Sequence, residues 1–120
     1  MIWDDYYKQY LKALRNPRPM EVMEQFLPMA LQAMNSLSVE DTEWLIKALR
    51  GIRKKWFVQM LCDRVDTLPE VFFMPLVRAA IYETDPSYNR DFVNPCIRIF
   101  GRRPASEALL DFVSTGTIDF

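Results

Sequence analysis

The chain has 120 residues, of which 50% are apolar and 26% are charged, with 15 Lys and Arg against 16 Asp and Glu. These counts favour one compact domain over residues 1–120 and exclude a disordered chain. The sequence contains no His, so the commonest general base and the commonest zinc ligand are missing. Cys62 and Cys96 do not suffice for a thiolate zinc site. We therefore predict no metal, no cofactor, no catalytic residues and no enzymatic activity.

The cellular location follows from the hydrophobic runs and from the cysteines. Charges interrupt every apolar run well before the roughly 20 residues of a membrane-spanning helix. The first residues are acidic and aromatic, unlike the basic start of a secretory signal. Two isolated cysteines are typical of a reducing compartment. We expect a cytoplasmic protein with no membrane contact, and the net charge of -1 provides no overall field to attract nucleic acid.

Helices are the predicted secondary structure throughout the chain, because only 3 residues are Gly and apolar residues recur at steps of three and four. The first helix begins at Ile2 and is stopped by Pro17. The second begins at Pro19 and runs to about Asn35. Pro28 should bend this helix, because a proline ring removes one main-chain hydrogen bond and clashes with the preceding turn.

The third and fourth helices have clear boundary signals. Ser38 followed by Asp41 resembles a capping box, so we predict that the third helix starts there. Gly51 is predicted to end it as a left-handed C-cap. The fourth helix is expected from about Lys54 to Val65.

The fifth helix is predicted to be the most enclosed. Pro69 opens it, and its core from Val71 to Tyr82 is apolar almost all round, with Arg78 as its one charge. We expect Phe73 and Leu76 to be major core residues, each costing several kcal/mol, of order 3 to 5 for the Phe, when replaced by Ala.

The last two predicted helices complete an all-α chain of seven helices. Asp85, Pro86 and Ser87 provide the cap and first turn of the sixth helix, which should bend at Pro95 and end at Gly101. Pro104 starts the seventh helix. Residues 116–120 are expected to form a loosely held tail.

Two stretches of the sequence match when Pro28 is aligned with Pro75, a shift of 47 residues from position 28 to position 75. Each copy consists of a helix containing Pro, a short capped turn, and a second helix ending in Gly. Basic residues then connect each copy to the helix that follows. Further matched pairs are Phe26 with Phe73, Ala33 with Ala80, Ser38 with Asp85, Leu45 with Phe92 and, after a small insertion, Gly51 with Gly101.

The second copy resembles a HEAT repeat in the stretch from Phe72 to Ala80, the turn at residues 85–87 and the helix ending at Gly101. The resemblance extends over most of residues 25–112. It implies a short right-handed α-α superhelix, a HEAT or armadillo-like solenoid, of about seven helices. The alternative is a seven-helix orthogonal bundle in which the similarity arises by chance.

Polar stripes on the second helix of each copy are candidates for partner contacts, because in such solenoids the second helices line the concave surface. A solvated face is the alternative, since acids near the start and bases near the end of a helix suit its dipole. The stripes are Glu40, Glu43, Lys47 and Arg50 in the first copy, and Asp91, Asn94, Arg98 and Arg102 in the second.

Basic residues occupy equivalent positions after these two helices. Stacked repeats would align them as one basic edge able to bind an acidic peptide or phosphates, and some HEAT-like proteins bind DNA. The edge comprises Arg50, Arg53, Lys54 and Lys55 from the first copy and Arg98, Arg102 and Arg103 from the second. Together with Asp91 and Asn94, these are the predicted partner-binding residues.

Two sets of acidic residues could serve either as catalytic carboxylates or as helix caps. Asp4 with Asp5, and Glu40 with Asp41 and Glu43, fall in the first turns of predicted helices, where acids complement the dipole. We therefore interpret them as capping residues. Trp3, Tyr6, Tyr7, Met20 and Met23 are interpreted as core contacts between helices one and two, with an exposed surface for a partner helix as the alternative.

The sequence thus predicts a non-catalytic protein–protein interaction or scaffold module with a protein partner of unknown identity. The alternative is a nucleic-acid-binding protein that uses the basic edge. An uncovered end of a short solenoid also suggests a homodimer. Its contacts would come either from Leu109, Leu110, Phe112 and Phe120 or from Tyr6, Tyr7 and Tyr10.

Overall fold

The computed structural model describes residues 1–85 and 87–115, and these residues are helical with no strand. The all-α class is therefore confirmed for this part of the chain. Contacts divide the chain into two compact units, which we call the first unit, Met1–Val65, and the second unit, Asp66–Phe120. The first unit contains α1 (Ile2–Leu14), α2 (Pro19–Met23), α3 (Leu27–Ala33), α4 (Val39–Ala48) and α5 (Lys54–Arg64). The second contains a 3₁₀ turn (Glu70–Phe72), α6 (Phe73–Ile81), α7 (Asn89–Phe100) and α8 (Arg102–Thr115).

The predicted second helix is two helices rather than one bent helix. α2 ends at Met23, and α3 begins at Leu27 with Pro28 as its second residue. In the first turn of a helix the missing N–H of proline leaves no hydrogen bond unmade. The chain therefore starts a new helix at Pro28 instead of bending an existing one.

Pro75 occupies a similar place in the second unit. It is the third residue of α6, which follows the 3₁₀ turn. The predicted helix opened by Pro69 is thus also divided, and the two aligned prolines both lie in a first turn. The elements after α1 follow the same order in both units, with a short helical segment followed by three helices. The superhelix itself stays a prediction.

The helix ends confirm some boundary predictions and correct others. Ser38 Oγ accepts a hydrogen bond from the Asp41 amide at 3.0 Å, and the Ser38 amide donates to Asp41 Oδ2 at 2.9 Å, which completes the capping box. Gly101 ends α7 with φ of 108°. The predicted left-handed Gly51 is wrong, because Gly101 is the one residue with positive φ in the described residues. α4 instead ends at Ala48 with Leu49 as its right-handed C-cap.

The start of α7 also differs from expectation. Asp85 Oδ1 accepts a hydrogen bond from the Ser87 amide at 2.9 Å, which makes a local turn, and α7 begins later, at Asn89. The Asn89 side chain donates to the carbonyl of Glu83 at 3.1 Å and to that of Ala80, and so joins the start of α7 to the end of α6. α7 continues through the buried Pro95. Pro86 and the predicted tail at 116–120 lie outside the described residues.

The first unit is organised around the aromatic stripe of α1. Trp3, Tyr6 and Tyr10 are buried, and Tyr6 stacks on Phe26 in the turn between α2 and α3, with ring centroids 6.2 Å apart. Tyr10 packs against Phe57 of α5 at 5.4 Å. Tyr6 and Tyr10 are therefore core residues and are not exposed for a homodimer contact. The predicted core contact of Met20 is wrong, since this side chain is 58% exposed.

The second unit packs α6 against α7 and α8. α6 buries five of its nine residues, in keeping with its almost entirely apolar sequence. Phe72 is fully buried, whereas Phe73 is half-buried and packs edge-on against Phe100 at 5.3 Å. The expectation that Phe73 is a major core residue is corrected to Phe72, whereas Leu76 is confirmed as a fully buried core residue. Each helix in the described residues is too short or too polar to cross a lipid bilayer.

Candidate functional site

The structure divides the nine predicted partner-binding residues between the two units. Seven of them are exposed, and Lys55 and Asp91 are half-buried. The alignment of both groups into one edge stays a prediction. Arg50, Arg53, Lys54 and Lys55 lie in the turn after α4 and in the start of α5, whereas Asp91, Asn94, Arg98, Arg102 and Arg103 lie on α7 and at the start of α8.

Two of the three predicted basic residues of the second unit lie at a helix start, and Arg98 lies in the last turn of α7. Arg102 and Arg103 are the first two residues of α8, where the helix dipole disfavours cations. Arg103 Nε forms an exposed ion pair with Glu107 Oε1 at 3.0 Å. Part of the predicted positive charge in this unit is therefore balanced on its own helix.

The basic residues of the first unit lie beside aromatic rings. The Lys54 ammonium lies over the ring of Trp44 at 5.4 Å and over the ring of Tyr7 at 5.5 Å from the ring centroids. The Lys55 ammonium lies 5.6 Å from the ring centroid of Trp56. Each such contact stabilises the cation by about 0.5–1 kcal/mol at an exposed site. Lys54 is therefore held at a defined place by two rings from two other helices.

Reciprocal hydrogen bonds between α1 and α4 hold Trp44 in position. Trp3 Nε1 donates to Asp41 Oδ1 at 2.8 Å, and Trp44 Nε1 donates to Asp4 Oδ1 at 3.2 Å. The two indole rings stack with centroids 6.5 Å apart. Each helix thus supplies one indole and one carboxylate to the other. The interpretation of Asp4 and Asp41 as first-turn residues is correct, but it missed this second role.

Phe57 of α5 forms the base on which these rings rest. Its ring meets Trp44 edge-on at 6.1 Å and Tyr7 at 5.7 Å. Phe57 is fully buried, whereas Trp44 and Tyr7 are half-buried. The cluster therefore runs from the core of the first unit to its surface, where Lys54 lies on it.

Titration of Asp41 is linked to the same contacts. The hydrogen bond from the Ser38 amide lowers the pKa of this carboxyl below its usual value, and the bonds from the Trp3 indole and the Ser38 hydroxyl act in the same direction against the opposing effect of burial. Burial, followed by the neighbouring Tyr7, raises the pKa of the Tyr10 phenol. Asp41 is therefore charged near neutral pH and gives the Trp3 indole an anionic acceptor.

A cleft of about 310 Å³ opens beside this cluster and is lined by Trp44, Lys47, Ala48, Gly51 and Lys54. Its two charged lining residues are both lysines. Among the residues that the structure describes, neither lysine has a carboxylate oxygen within 4.0 Å. The cleft thus combines an indole ring with two lysines that form no ion pair with the described carboxylates.

Gly51 gives the cleft part of its width. A Cβ at this position would lie 3.3 Å from the carbonyl oxygen of Ala48 and 3.6 Å from Cβ of Lys54. A larger residue would therefore occupy space between the end of α4 and the start of α5. The sequence did not indicate that Gly51 would line a cleft. It was interpreted there as a left-handed C-cap, but its φ is not positive.

The chemistry available at this cleft is anion binding. In the described part of the chain, no group of three or more Cys, Asp or Glu side chains is placed to hold a metal ion. The lining supplies two cations, an indole ring and the backbone around Gly51. The first turn of α5 contains no acidic residue, so the positive end of its dipole adds to the same field.

A second cleft, of about 450 Å³, lies in the second unit and is mostly apolar. The Phe73 and Phe100 rings meet at its wall, and Glu70 is its one charged residue. No sequence pattern predicted it. Its lining residues are Leu68, Glu70, Phe73, Ile99, Phe100 and Pro104.

Comparison of the chain with known protein families, with curated proteins and with solved structures finds no match. The HEAT or armadillo resemblance therefore stays a prediction, and the functional conclusion rests on the geometry of the first unit.

Proposed function

We propose that the chain is a non-catalytic interaction module whose first unit binds an acidic segment of a partner protein. The contact surface, which we call the basic–aromatic surface, carries the cleft at its centre. The observation that supports this proposal is that two lysines line one cleft without a carboxylate partner while aromatic rings hold one of them in place. The surface consists of Trp44, Lys47, Arg50, Arg53, Lys54 and Lys55.

The density of positive charge on this surface favours an anionic partner. Five cations occur between residues 47 and 55, in a chain whose net charge is -1. Like charges that line one cleft, as Lys47 and Lys54 do, repel each other, and carboxylates of a partner relieve that repulsion. An exposed ion pair contributes only about 0.2–1 kcal/mol, so several are needed. Binding should therefore be of modest strength and should weaken steeply with salt.

Rigidity of the surface also supports binding. Trp44 is fixed by its hydrogen bond to Asp4 and by its stacking on Trp3, so it loses little freedom when a partner covers it. Tryptophan is enriched among the residues that dominate binding energies at protein interfaces. The indole thus provides apolar contact between the charged groups.

Fluorescence anisotropy of a labelled Glu-rich octapeptide tests the proposal. We expect binding at low salt that weakens at least about tenfold between 50 and 200 mM NaCl. The double variant Lys47→Gln, Lys54→Gln should bind at least about tenfold more weakly than the parent protein. The matched control, Arg98→Gln with Arg102→Gln, removes the same charge from the second unit and should change binding less than about twofold.

Two results would overturn the proposal. Equal weakening by the lysine pair and the arginine pair would show that total charge, and not the cleft, determines binding. Binding of a 16-base-pair DNA duplex in preference to the peptide, with both variant pairs reducing it, would instead favour the nucleic-acid alternative based on the predicted basic edge.

A further inference from the structure

Two lysines, Lys47 and Lys54, line the cleft of the basic–aromatic surface. We infer that the cleft binds the phosphate group of a phosphorylated side chain within the acidic segment of the partner protein. The inference rests on the proposed function, because it names the anion that the same surface takes at its centre.

Charge matching is the first argument for a phosphate monoester. Lys47 and Lys54 both line the cleft, and neither has a carboxylate oxygen within 4.0 Å among the described residues. A carboxylate or a phosphodiester group carries one negative charge and would balance one lysine. A phosphate monoester carries about -1.5 to -2 at pH 7 and balances both.

The two carboxylates that contact the tryptophan rings are engaged elsewhere. Asp4, which contacts Trp44, accepts the hydrogen bond of the indole and lies 3.7 Å from the N-terminal ammonium. Asp41 accepts bonds from Ser38 and from the Trp3 indole. Both carboxylates therefore serve the α1–α4 contact, and in the described part of the chain neither forms an ion pair with a cleft lysine.

The kind of cation is the second argument. An arginine fork matches the planar oxygens of a carboxylate, whereas a lysine ammonium acts as a point charge with three donors. Two ammonium groups can share the terminal oxygens of a tetrahedral phosphate without a planar fit. The lining of this cleft contains lysines and no arginine, although Arg50 and Arg53 follow closely in sequence.

The size and lining of the cleft are the third argument. A volume of about 310 Å³ equals roughly ten water molecules at about 30 Å³ each. This is enough for a phosphate group and for the side chain that carries it. The Trp44 indole, with the Lys54 ammonium over its ring, forms part of the cleft wall. Gly51 also lines the cleft, and a Cβ there would lie in van der Waals contact with Cβ of Lys54, at 3.6 Å.

Three peptides of one acidic sequence, differing only in a central Ser, Glu or phosphoserine, test the inference. We expect the phosphoserine peptide to bind at least about tenfold more tightly than the Glu peptide, and the Ser peptide to bind most weakly. Lys47→Gln should reduce the preference for phosphoserine to less than about threefold. Arg53→Gln is the matched control, since it removes one charge outside the cleft lining and should weaken all three peptides by a similar factor.

Gly51→Ala tests the shape of the cleft without any change of charge. We expect this variant to weaken the phosphoserine peptide by several fold and to change the Ser peptide less. If Gly51→Ala lowers thermal stability so far that it unfolds, the exposed Lys47→Gln variant still decides the result.

A ³¹P NMR titration of the bound phosphoserine peptide adds a measurement that altered folding alone would not reproduce. Two lysines that line one cleft favour the dianion, so the second pKa of the bound phosphate should fall below its usual value of about 6. Lys47→Gln should move the second pKa of the bound phosphate part of the way back toward its usual value. Arg53→Gln should move it less.

The possible failures are distinguishable. Equal affinity for the phosphoserine and Glu peptides would overturn the phosphate inference and leave the proposed function standing. Failure of all three peptides to bind the folded protein at low salt would overturn both. Binding of inorganic phosphate alone as tightly as the phosphoserine peptide would also overturn the inference, because the occupant would then be a free anion and not a partner segment.

Discussion

The first unit and the second unit contain different kinds of aromatic core. In the first unit, tryptophan and tyrosine rings extend from the buried Phe57 to the surface, and Trp3 and Trp44 are each bonded to a carboxylate on another helix. In the second unit, the fully buried aromatic side chains are Phe72 and Phe92. Phenylalanine has no polar atom, so its position is determined by packing alone.

This difference explains why the two clefts differ in chemistry. Polar bonds in the first unit hold indole faces near the surface, and a lysine rests on one of them beside a second lysine. The cleft of the second unit is lined by phenylalanine, aliphatic and proline side chains with the single carboxylate of Glu70. A core that carries polar atoms can present charge and aromatic surface together, whereas a purely apolar core provides an apolar wall.

Replacement of a buried phenylalanine should have the largest effect on the free energy of unfolding. Comparison of Phe72 with Phe73 shows which of the two lies at the centre of the core of the second unit. Phe72→Ala should lower the free energy of unfolding by about 3–5 kcal/mol. Phe73 is half-buried, so Phe73→Ala should lower it by roughly half as much or less. Urea unfolding followed by circular dichroism measures both. Equal losses would contradict the assignment of Phe72 to the centre of the core.

Each unit holds one fully buried thiol, so the accessibility of the two cores can be compared directly. Burial raises the pKa of Cys96 to about 12 from 9.0, which lowers its thiolate concentration at pH 8 by roughly 1000-fold. With Cys62→Ala, the remaining Cys96 should react with a disulfide reagent at least about 1000 times more slowly in the native protein than in urea. Cys96→Ala reports on Cys62 in the first unit. Rapid reaction of either native thiol would show that its core is open.

The reciprocal indole–carboxylate hydrogen bonds distinguish the first unit. They should contribute less to the free energy of unfolding than a buried phenylalanine does. A double-mutant cycle of Trp3→Phe with Asp41→Ala should give a coupling of about 1–2 kcal/mol, because the acceptor is charged. The same cycle for Trp44 and Asp4 should give less than about 1 kcal/mol, since that bond is longer, 3.2 Å against 2.8 Å. A larger coupling for the second pair would reverse this order. Thermal and urea unfolding provide both values.

The pH dependence of Asp41 is the smallest expected effect. Its pKa in the folded protein is lowered, chiefly by the hydrogen bond from the Ser38 amide, relative to the usual 3.8. The unfolded chain therefore takes up a proton first, and the stabilisation that is present above pH 4 is lost as pH falls through the folded pKa. The loss should be about 1 kcal/mol or less, because solvent screens this carboxylate.

Unfolding measured between pH 5 and pH 2.5 tests this sign. Asp41→Asn should be less stable at pH 5 and should lose less stability on acidification than the parent protein. Asp63→Asn is the control, as Asp63 is an exposed carboxylate on α5. Identical acid profiles for the parent and Asp41→Asn would show that the capping contacts do not affect titration.

Local signals explain why much of the helical structure was predictable. Ser38 and Asp41 cap α4 through bonds that span three residues, and Gly101 ends α7 with a backbone conformation that glycine favours. The errors arose where two local solutions were available. Pro28 suits either a bent helix or the first turn of a new one, and the core position of Phe26 favoured the new helix.

The sequence by itself determined the all-α class, most helix boundaries and the concentration of positive charge at residues 47–55, because these properties depend on neighbours within one or two turns. Only the tertiary structure decided which groups meet. Trp3 bonds to Asp41 across 38 residues, Trp44 to Asp4 across 40, and Lys54 lies over Tyr7. These contacts depend on the packing of α1, α4 and α5, in which burial of aromatic surface outweighs any local preference. The same packing places two lysines of this basic stretch and the Trp44 indole around one cleft.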